Sequence, residues 1–229
     1  MKNKFKKVST VVKNNVTNIF IDGNPLKSIG DNFFDFKNNE LANFLKDKIT
    51  KIKNGSNIKN ILFYQVLSLA VDKINNNKIE YIDKICKYSD TDLICYRADG
   101  PDDLCKLQED MWDPVLEKLE KLNIKFNTFQ GIIPQAQPTE SIEILKNKIS
   151  DFNNFQISCL LKLTQMTGSV LLSYSFIKGF INEKCMFECS LLDENWQAKK
   201  WGLLEDVNEK QKNEFLIIKD FNRLFKILG

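Results

Sequence analysis

The side chains able to do chemistry here are six cysteines and a spread of carboxylates, because the 229 residues contain no histidine. Without imidazole there is no Ser-His-Asp triad, no Cys-His dyad and no histidine-ligated zinc or iron. The nine glycines form neither of the two patterns that cradle phosphates at a helix start. The cysteines stand at 86, 95, 105, 159, 185 and 189, and no pair has the spacing of a zinc knuckle or a redox motif. Cys185 and Cys189 lie one helical turn apart and read as neighbours on an apolar face rather than as metal ligands. Asp90, Asp92, Asp99, Asp102 and Asp103 cluster in sequence. A hard-metal site needs carboxylates that converge in space, however, and capping of helix ends explains Asp90, Asp102 and Asp103 more simply. The expectation is a protein that binds rather than catalyses, with no metal and no cofactor.

Binding chemistry points to the tryptophans, in Trp112-Asp113-Pro114 and at Trp196 and Trp201. A tryptophan on an amphipathic helix is either core or an interface anchor. The segment from Cys185 to Trp201 allows a sharper reading. At about 100° per residue, Cys185, Cys189, Leu192 and Trp196 fall within roughly 60° of one another on one helical face. Asp193 sits roughly 80° from Cys185, at the border of that face, and Glu194 points away. A border carboxylate is either a charge held at a protein interface or one half of a bridge to Lys200.

Net charge is +3, and Arg97 and Arg223 are the only arginines. Readers of nucleic acid favour arginine for bidentate contacts, so a mildly basic solvated surface is the simpler reading. The rival, a lysine-mediated binder of nucleic acid or an anionic surface, has local support only in Lys2, Lys4, Lys6 and Lys7. Leu163 to Ile181 is apolar but interrupted by Gln165, Ser169, Ser173 and Lys178, which predicts a buried core helix rather than a membrane span. Met1 to Lys7 lacks the apolar core of a signal peptide, so reduced thiols in a cytoplasm-like compartment are expected.

These residues need a scaffold. Hydrophobic residues make up 43% of the chain and charged residues 28%, enough to bury a core without disulfides or metal. Residues 5–12 and 16–21 read as strands, Asp22-Gly23-Asn24-Pro25 as a turn, and 32–36 as a further strand-like run. Asn39 is placed to cap a helix reaching about Lys53, which Asn54-Gly55-Ser56 stops. Helices are predicted over 61–74 and 79–88, and one starts at Pro101 with Asp102 and Asp103 in its first turn. Pro114 either kinks that helix or begins the next. Residues 124–129 read as a last short strand, 130–138 as an extended loop. Helices near 140–150, 153–166, 168–181, 183–200 and 206–227 complete the chain. The fold class expected is α+β, with a β-rich N-terminal domain over 1–58 and a mainly α-helical domain over 59–229.

Four blocks, with a turn near the N-terminus, carry a family resemblance. Ser89-Asp90-Thr91-Asp92-Leu93-Ile94-Cys95-Tyr96-Arg97 is followed in order by Trp112-Asp113-Pro114, then by Gln130-Gly131-Ile132 with Pro134. Asp193-Glu194-Asn195-Trp196-Gln197 comes next, running on to Trp201-Gly202, and Ile21-Asp22-Gly23-Asn24-Pro25 matches the turn. In these blocks the chain resembles the ATP12 chaperones, which assist assembly of the F1 sector of ATP synthase, over about residues 5–205. Asn24 departs from the family's basic residue, and 61–72 keeps little beyond an apolar pattern and Asp72.

The resemblance implies a β-rich domain followed by a helical one. It also implies a chaperone that binds the free α subunit of F1 and covers its apolar interface; the chain itself is expected to be a monomer. Release to β would result from a difference in binding free energy, with no nucleotide hydrolysis, nucleic acid or membrane insertion. The family's functional acidic position falls at Asp193. Glu194, Trp196 and Trp201 join it as partner-binding candidates, and Asp193→Lys is expected to spare the fold while abolishing protection. Asp92, Cys95, Tyr96, Arg97, Trp112, Asp113, Pro114 and Gly202 read as structural, with Arg97 paired to a carboxylate between helices. The compartment implied is a bacterial cytoplasm, or the mitochondrial matrix for a processed chain.

Overall fold

The computed structural model of the chain describes residues 7–52, 56–131, 133, 135–202 and 205–229. Lys2, Lys4, Phe5, Lys6, Lys53, Asn54, Gly55, Ile132 and Pro134 lie outside the described residues. The described chain is α+β: a small antiparallel sheet comes first, and the rest of the chain is mainly helical. It divides into two compact units. One holds the chain through Lys78 together with Phe152–Cys159 and Arg223–Gly229; the other holds Ile79–Asp151 and Leu160–Asn222. The first unit thus draws in residues well beyond position 58.

In the first unit, β1 (Val8–Lys13) and β2 (Val16–Ile21) form a hairpin closed by Asn14 and Asn15, both at positive φ. Two central residues at positive φ match the right-handed twist of the strands, and asparagine tolerates that conformation. Asp22 and Gly23 make the same kind of turn into β3 (Asn24–Pro25). The run 32–36 is not a strand. Phe36 meets β2 through a single bridge to Thr17, and Phe34 and Phe36 turn their stacked rings into the core, 5.1 Å apart. Ladder pairing ends where burial of the two rings begins. Helix α1 (Asn39–Thr50) packs on β1 and β2 through Leu41, Phe44, Leu45 and Ile49. Its cap is Asn38 rather than Asn39, with the Asn38 side chain accepting from the Glu40 backbone N–H at 2.8 Å.

The segment expected as one helix over 61–74 is α2 (Leu62–Leu69) followed by a π turn (Ala70–Ile74), and α3 (Asn75–Cys86) continues directly from it. The π turn carries Asp72, whose carboxylate gathers the loop after β3. It accepts from the Ser28 hydroxyl, from the Gly30 N–H at 2.8 Å and from Asn32 Nδ2 at 2.8 Å. Partial burial raises the Asp72 pKa, but the bonds from Ser28, Asn32 and Gly30 outweigh it and hold the carboxyl below its ordinary value. Gly30 is required here because a Cβ would lie 2.9 Å from Asp72 Cγ. Gly30→Val is therefore expected to cost about 1–3 kcal/mol in denaturant unfolding, through displacement of the carboxylate and its three donors. An unchanged midpoint would show that the loop moves aside freely.

In the second unit, β4 (Tyr96–Arg97) pairs in parallel with β5 (Phe129–Gln130), a shorter strand than the run 124–129 suggests. Helix α4 (Asp102–Glu120) runs through Pro114 as one helix. Pro114 and Asp110 are both exposed, so water can reach the Asp110 carbonyl that the proline leaves without a donor. After α5 (Thr139–Ser150), helix α6 (Asn154–Thr167) ends at Gly168, whose φ is +70°. Helix α7 (Val170–Ile177) is buried along Val170–Phe176 and packs on α4 and α8 (Glu183–Ser190). Among the described residues no helix is long and apolar enough to cross a membrane. Helices α9 (Leu192–Trp201) and α10 (Glu205–Leu228) complete the chain.

Candidate functional site

The sequence predicts one helix over 183–200, but the chain breaks at Leu191, where φ −116° and ψ 18° leave helical space. That residue shifts the helical phase, so Cys185, Cys189, Leu192 and Trp196 do not form one continuous face. Cys189 and Leu192 are buried, whereas Trp196 is half-buried and bonds sideways to α4.

Asp193 lies in the first turn of α9, half-buried, where its charge also favours the helix N-terminus. Its Oδ1 accepts from Gln108 Nε2 at 2.8 Å. Gln108 is 2% exposed, and its Oε1 accepts from the Ala98 backbone N–H at 2.9 Å. One buried amide thus ties the residue after β4 to α9. The bridge from Asp193 to Lys200 does not form: Lys200 Nζ lies 3.3 Å from Asp103 Oδ2 instead. The same oxygen accepts from Trp196 Nε1 at 3.2 Å. Slight desolvation of Asp103 is outweighed by these two donors and the lysine charge, and its pKa sits below the ordinary value. Asp103 reaches Lys200 from α4, whereas Asp193 is committed to Gln108.

Lys200 also lies over the Trp196 ring, 5.1 Å from its centroid, and Trp201 stands edge-on to Trp196 at 6.5 Å. Trp201 is 77% exposed, a large apolar side chain held out in water. Gly202 ends α9 at φ +92°, a conformation that favours glycine, and donates to the Ala198 carbonyl. Glu194 is exposed on the outer side of α9.

The residues read as structural separate into two groups. Arg97 joins Asp113 at 2.7 Å, donates through Nε to the Ile94 carbonyl at 3.0 Å, and lies 5.2 Å over the Trp112 ring. The pairing with a carboxylate is as expected, although it links a strand to a helix. Trp112 is fully buried and donates from Nε1 to the Cys189 carbonyl at 3.1 Å. Tyr96 donates to the Asp90 carbonyl at 2.9 Å and accepts from the Gln135 N–H at 3.0 Å. The other group centres on Asp92, fully buried at the start of α7. It accepts from Ser169 Oγ at 2.6 Å, the Leu171 N–H at 3.0 Å and the Ile94 N–H at 3.2 Å. Burial dominates and pushes its carboxyl up to about 6. Burial also raises the Cys95 thiol, which stays an inert core residue.

Sequence reasoning passes over Gln108, sees Ser169 only as a break in an apolar run, and sees Asp103 only as a helix-start carboxylate. Gln108 has a signal: it interrupts the apolar stripe Leu104, Trp112, Val115 and Leu119 on α4, where a polar residue must find a buried partner.

A family model described as ATP12 chaperone protein matches residues 2–120. The chain belongs to the ATP12 chaperone family. Among its relatives, the mitochondrial protein atp12 of Schizosaccharomyces pombe is 26% identical over 218 residues, 90% of this chain and 75% of that protein. The crystal structure of Atp12 from Paracoccus denitrificans matches with a TM-score of 0.85 at 21% identity, covering 100% of this chain and 98% of that one. A candidate chaperone from Agrobacterium tumefaciens gives a TM-score of 0.89 at 25% identity, over 98% of this chain and 85% of its own. An aspartate-to-lysine mutant of the Paracoccus family member has also been solved, with a TM-score of 0.84 to this chain. Asp92, Arg97, Trp112 and Asp113 fall inside the residues matched by the family model, and α9 lies beyond them.

Proposed function

We propose that this chain binds the free α subunit of F1-ATPase, shields its apolar subunit interface from aggregation, and releases it to the β subunit without hydrolysing nucleotide. The observation that carries the reading is the match to the ATP12 chaperone model over residues 2–120. The α9 surface supports it. Trp201 offers an exposed aromatic anchor beside Trp196 at the C-terminal end of α9, where Lys200 pairs with Asp103, and Asp193 and Glu194 put negative charge on the helix's first turn. Tryptophan is enriched at the energetic centres of interfaces, where surrounding groups exclude water. An unpaired α subunit presents an apolar patch that drives non-specific association, and a chaperone needs only to cover it more weakly than β does. The protein acts as a monomer with one α subunit per chain.

The test is light scattering of F1 α subunit diluted from denaturant. Suppression is expected to saturate near one chain per α subunit, without nucleotide, and to change little with added salt. Scattering unaffected by the folded protein would overturn the reading. Protection that disappears steeply between low and moderate salt would instead favour a lysine-mediated contact.

A further inference from the structure

The net charge of +3 is the difference between two unlike parts. The residues of the first compact unit hold 16 lysines and arginines against 6 aspartates and glutamates, a net +10. Those of the second hold 17 against 24, a net −7. A charge separation of this size within one chain points to an anionic partner for the first unit.

The first unit also has an open sheet edge. Its strands lie in the order β1-β2-β3, so β1 has β2 on one side and no strand on the other. Bonds made by β2 fix which β1 groups face the open side. Thr17 donates to the Phe36 carbonyl at 2.8 Å and Ile19 accepts from the Leu26 N–H at 2.7 Å, so both turn their backbone groups away from β1. Their partners across the ladder, Val12 and Thr10, therefore turn theirs away from β2, and Val8 continues the alternation. Among the described residues, none of these outward N–H and C=O groups has a hydrogen-bond partner. Val11 and Val12 are 48% and 62% exposed at the same edge.

An unpaired edge with exposed valines is a template for another extended chain. Nucleic acid and lipid can neutralise lysines, but neither completes a ladder of amide hydrogen bonds, so the edge calls for polypeptide. Charge selects its kind. Lys7 and Lys13 bracket the open groups, and both are exposed. Asp22, which accepts from the Lys7 backbone N–H at 2.8 Å, offsets part of the charge at that end, whereas Lys13 is followed by the neutral Asn14 and Asn15. A second copy of this chain is the wrong occupant. Antiparallel pairing centred on Thr10 would set Lys13 of each copy opposite Lys7 of the other, between two units of like charge.

We infer that the outer edge of β1 docks an extended, acidic segment of a partner polypeptide, which adds a fourth strand to the sheet and sets carboxylates against Lys13 and Lys7. The assignment rests on the open edge and on the charge of the unit that carries it. It does not require the partner to be the α subunit.

The experiment titrates a fluorescently labelled, end-capped peptide, Glu-Val-Thr-Val-Thr-Val-Glu, with the full-length protein at about 0.15 M salt, where distant charges are screened. Saturation at one peptide per chain is expected. Hydrogen exchange should slow at the Val8, Thr10 and Val12 amides, while Ser9 and Val11, which face β2, keep their rates. The same peptide with lysine at both ends, or with proline at its centre, is expected to bind at least about 10-fold more weakly, the first for lack of charge match and the second for lack of a ladder donor. Lys13→Glu should weaken the acidic peptide about 5-fold and strengthen the lysine-ended one, the scale of exchanging one attractive cross-strand pair for a repulsive one. Val12→Pro removes an outward N–H at an edge position where proline is tolerated, and should weaken binding about 10-fold with thermal melting close to the wild type. Lys13→Glu and the proline-centred peptide keep the test decisive should that variant unfold. No binding, equal affinity for acidic and lysine-ended peptides, full affinity of the proline-centred peptide, or exchange slowed away from β1 would overturn the assignment. Displacement of the peptide by an equal concentration of single-stranded oligonucleotide would overturn it in favour of nucleic acid. α-Subunit scattering takes no part in this titration, so its failure and failure of the chaperone reading are told apart.

Discussion

Asp193→Lys is expected to abolish protection of the α subunit, and Asp193→Asn shows how much of that loss belongs to the charge. The carboxylate does two things at once: it presents negative charge at the edge of α9, and it accepts the Gln108 amide at 2.8 Å. Gln108 cannot turn elsewhere, because it is 2% exposed and its oxygen is committed to the Ala98 N–H. Lysine removes the acceptor and sets a second donor against the amide. Leaving that buried N–H group unpaired costs about 1–3 kcal/mol, so the lysine variant loses some stability along with its function. To the sequence expectation that this substitution spares the fold, the Gln108 contact thus adds a stability cost. Asparagine keeps an oxygen facing Gln108 and removes only the charge. Its melting temperature is expected within about 2–4 °C of the wild type, the shift of roughly 1 kcal/mol in a chain this long. If Asp193→Asn melts like the wild type and still suppresses α-subunit scattering fully, the carboxylate serves packing and the binding assignment at Asp193 fails.

Asp92→Ala is expected to cost about 3 kcal/mol at neutral pH. The Leu171 and Ile94 N–H groups would be left buried without acceptors, and Ser169 would lose the oxygen it donates to. Relief of a buried charge offsets part of that cost, which is why the figure stays near 3 kcal/mol. The same carboxylate gives a pH signature. Burial raises its folded-state pKa to about 6, above an unfolded value near 3.9. The folded state therefore holds this proton more tightly than the unfolded chain does. Its contribution is fully present below about pH 4, is lost as pH rises toward 6, and is flat above that. At about 1.4 kcal/mol per pH unit, the wild type is expected to lose on the order of 3 kcal/mol from this group across that window. Asp72 and Asp103, held below their ordinary values, act in the opposite direction at lower pH, so the informative quantity is a difference. Urea unfolding of wild type and Asp92→Asn between pH 4 and 8 should show the wild type losing stability relative to the variant by that amount. A gap independent of pH would mean that Asp92 stays ionised throughout, with its three donors and the start of α7 outweighing burial.

The two aspartates show where local sequence is sufficient and where it is not. Hairpins and helix starts are set by residues adjacent in the chain. Asn14-Asn15 and Asp22-Gly23 supply positive φ, asparagine caps α1, and Asp102 and Asp103 open α4. The apolar runs declare the buried faces of α1, α4 and α7 for the same reason: periodicity is a local property. The exclusion of histidine-based catalysis rests on composition alone, since the chain has no histidine. The ordered signature blocks carry the family resemblance, and the match over residues 2–120 agrees with it.

What tertiary structure decided is the identity of partners. Lys200 has Asp193 on its own helix as a candidate but pairs with Asp103 on α4, because Gln108 occupies Asp193 first. Phe34 and Phe36 alternate like a strand yet leave the ladder, since two stacked rings gain more from the core than two more backbone bonds return at a sheet edge. A one-residue break at Leu191 undoes a helical face that the periodicity extends without interruption. Likewise, the 3.8 Å meeting of the Cys185 and Cys189 sulfurs depends on side-chain rotamers selected by packing. Turns, caps and burial faces are determined by energies of neighbouring residues and can be read along the chain. Pairing of a buried polar group depends on which competitor reaches it first in space, and only the folded chain contains that information.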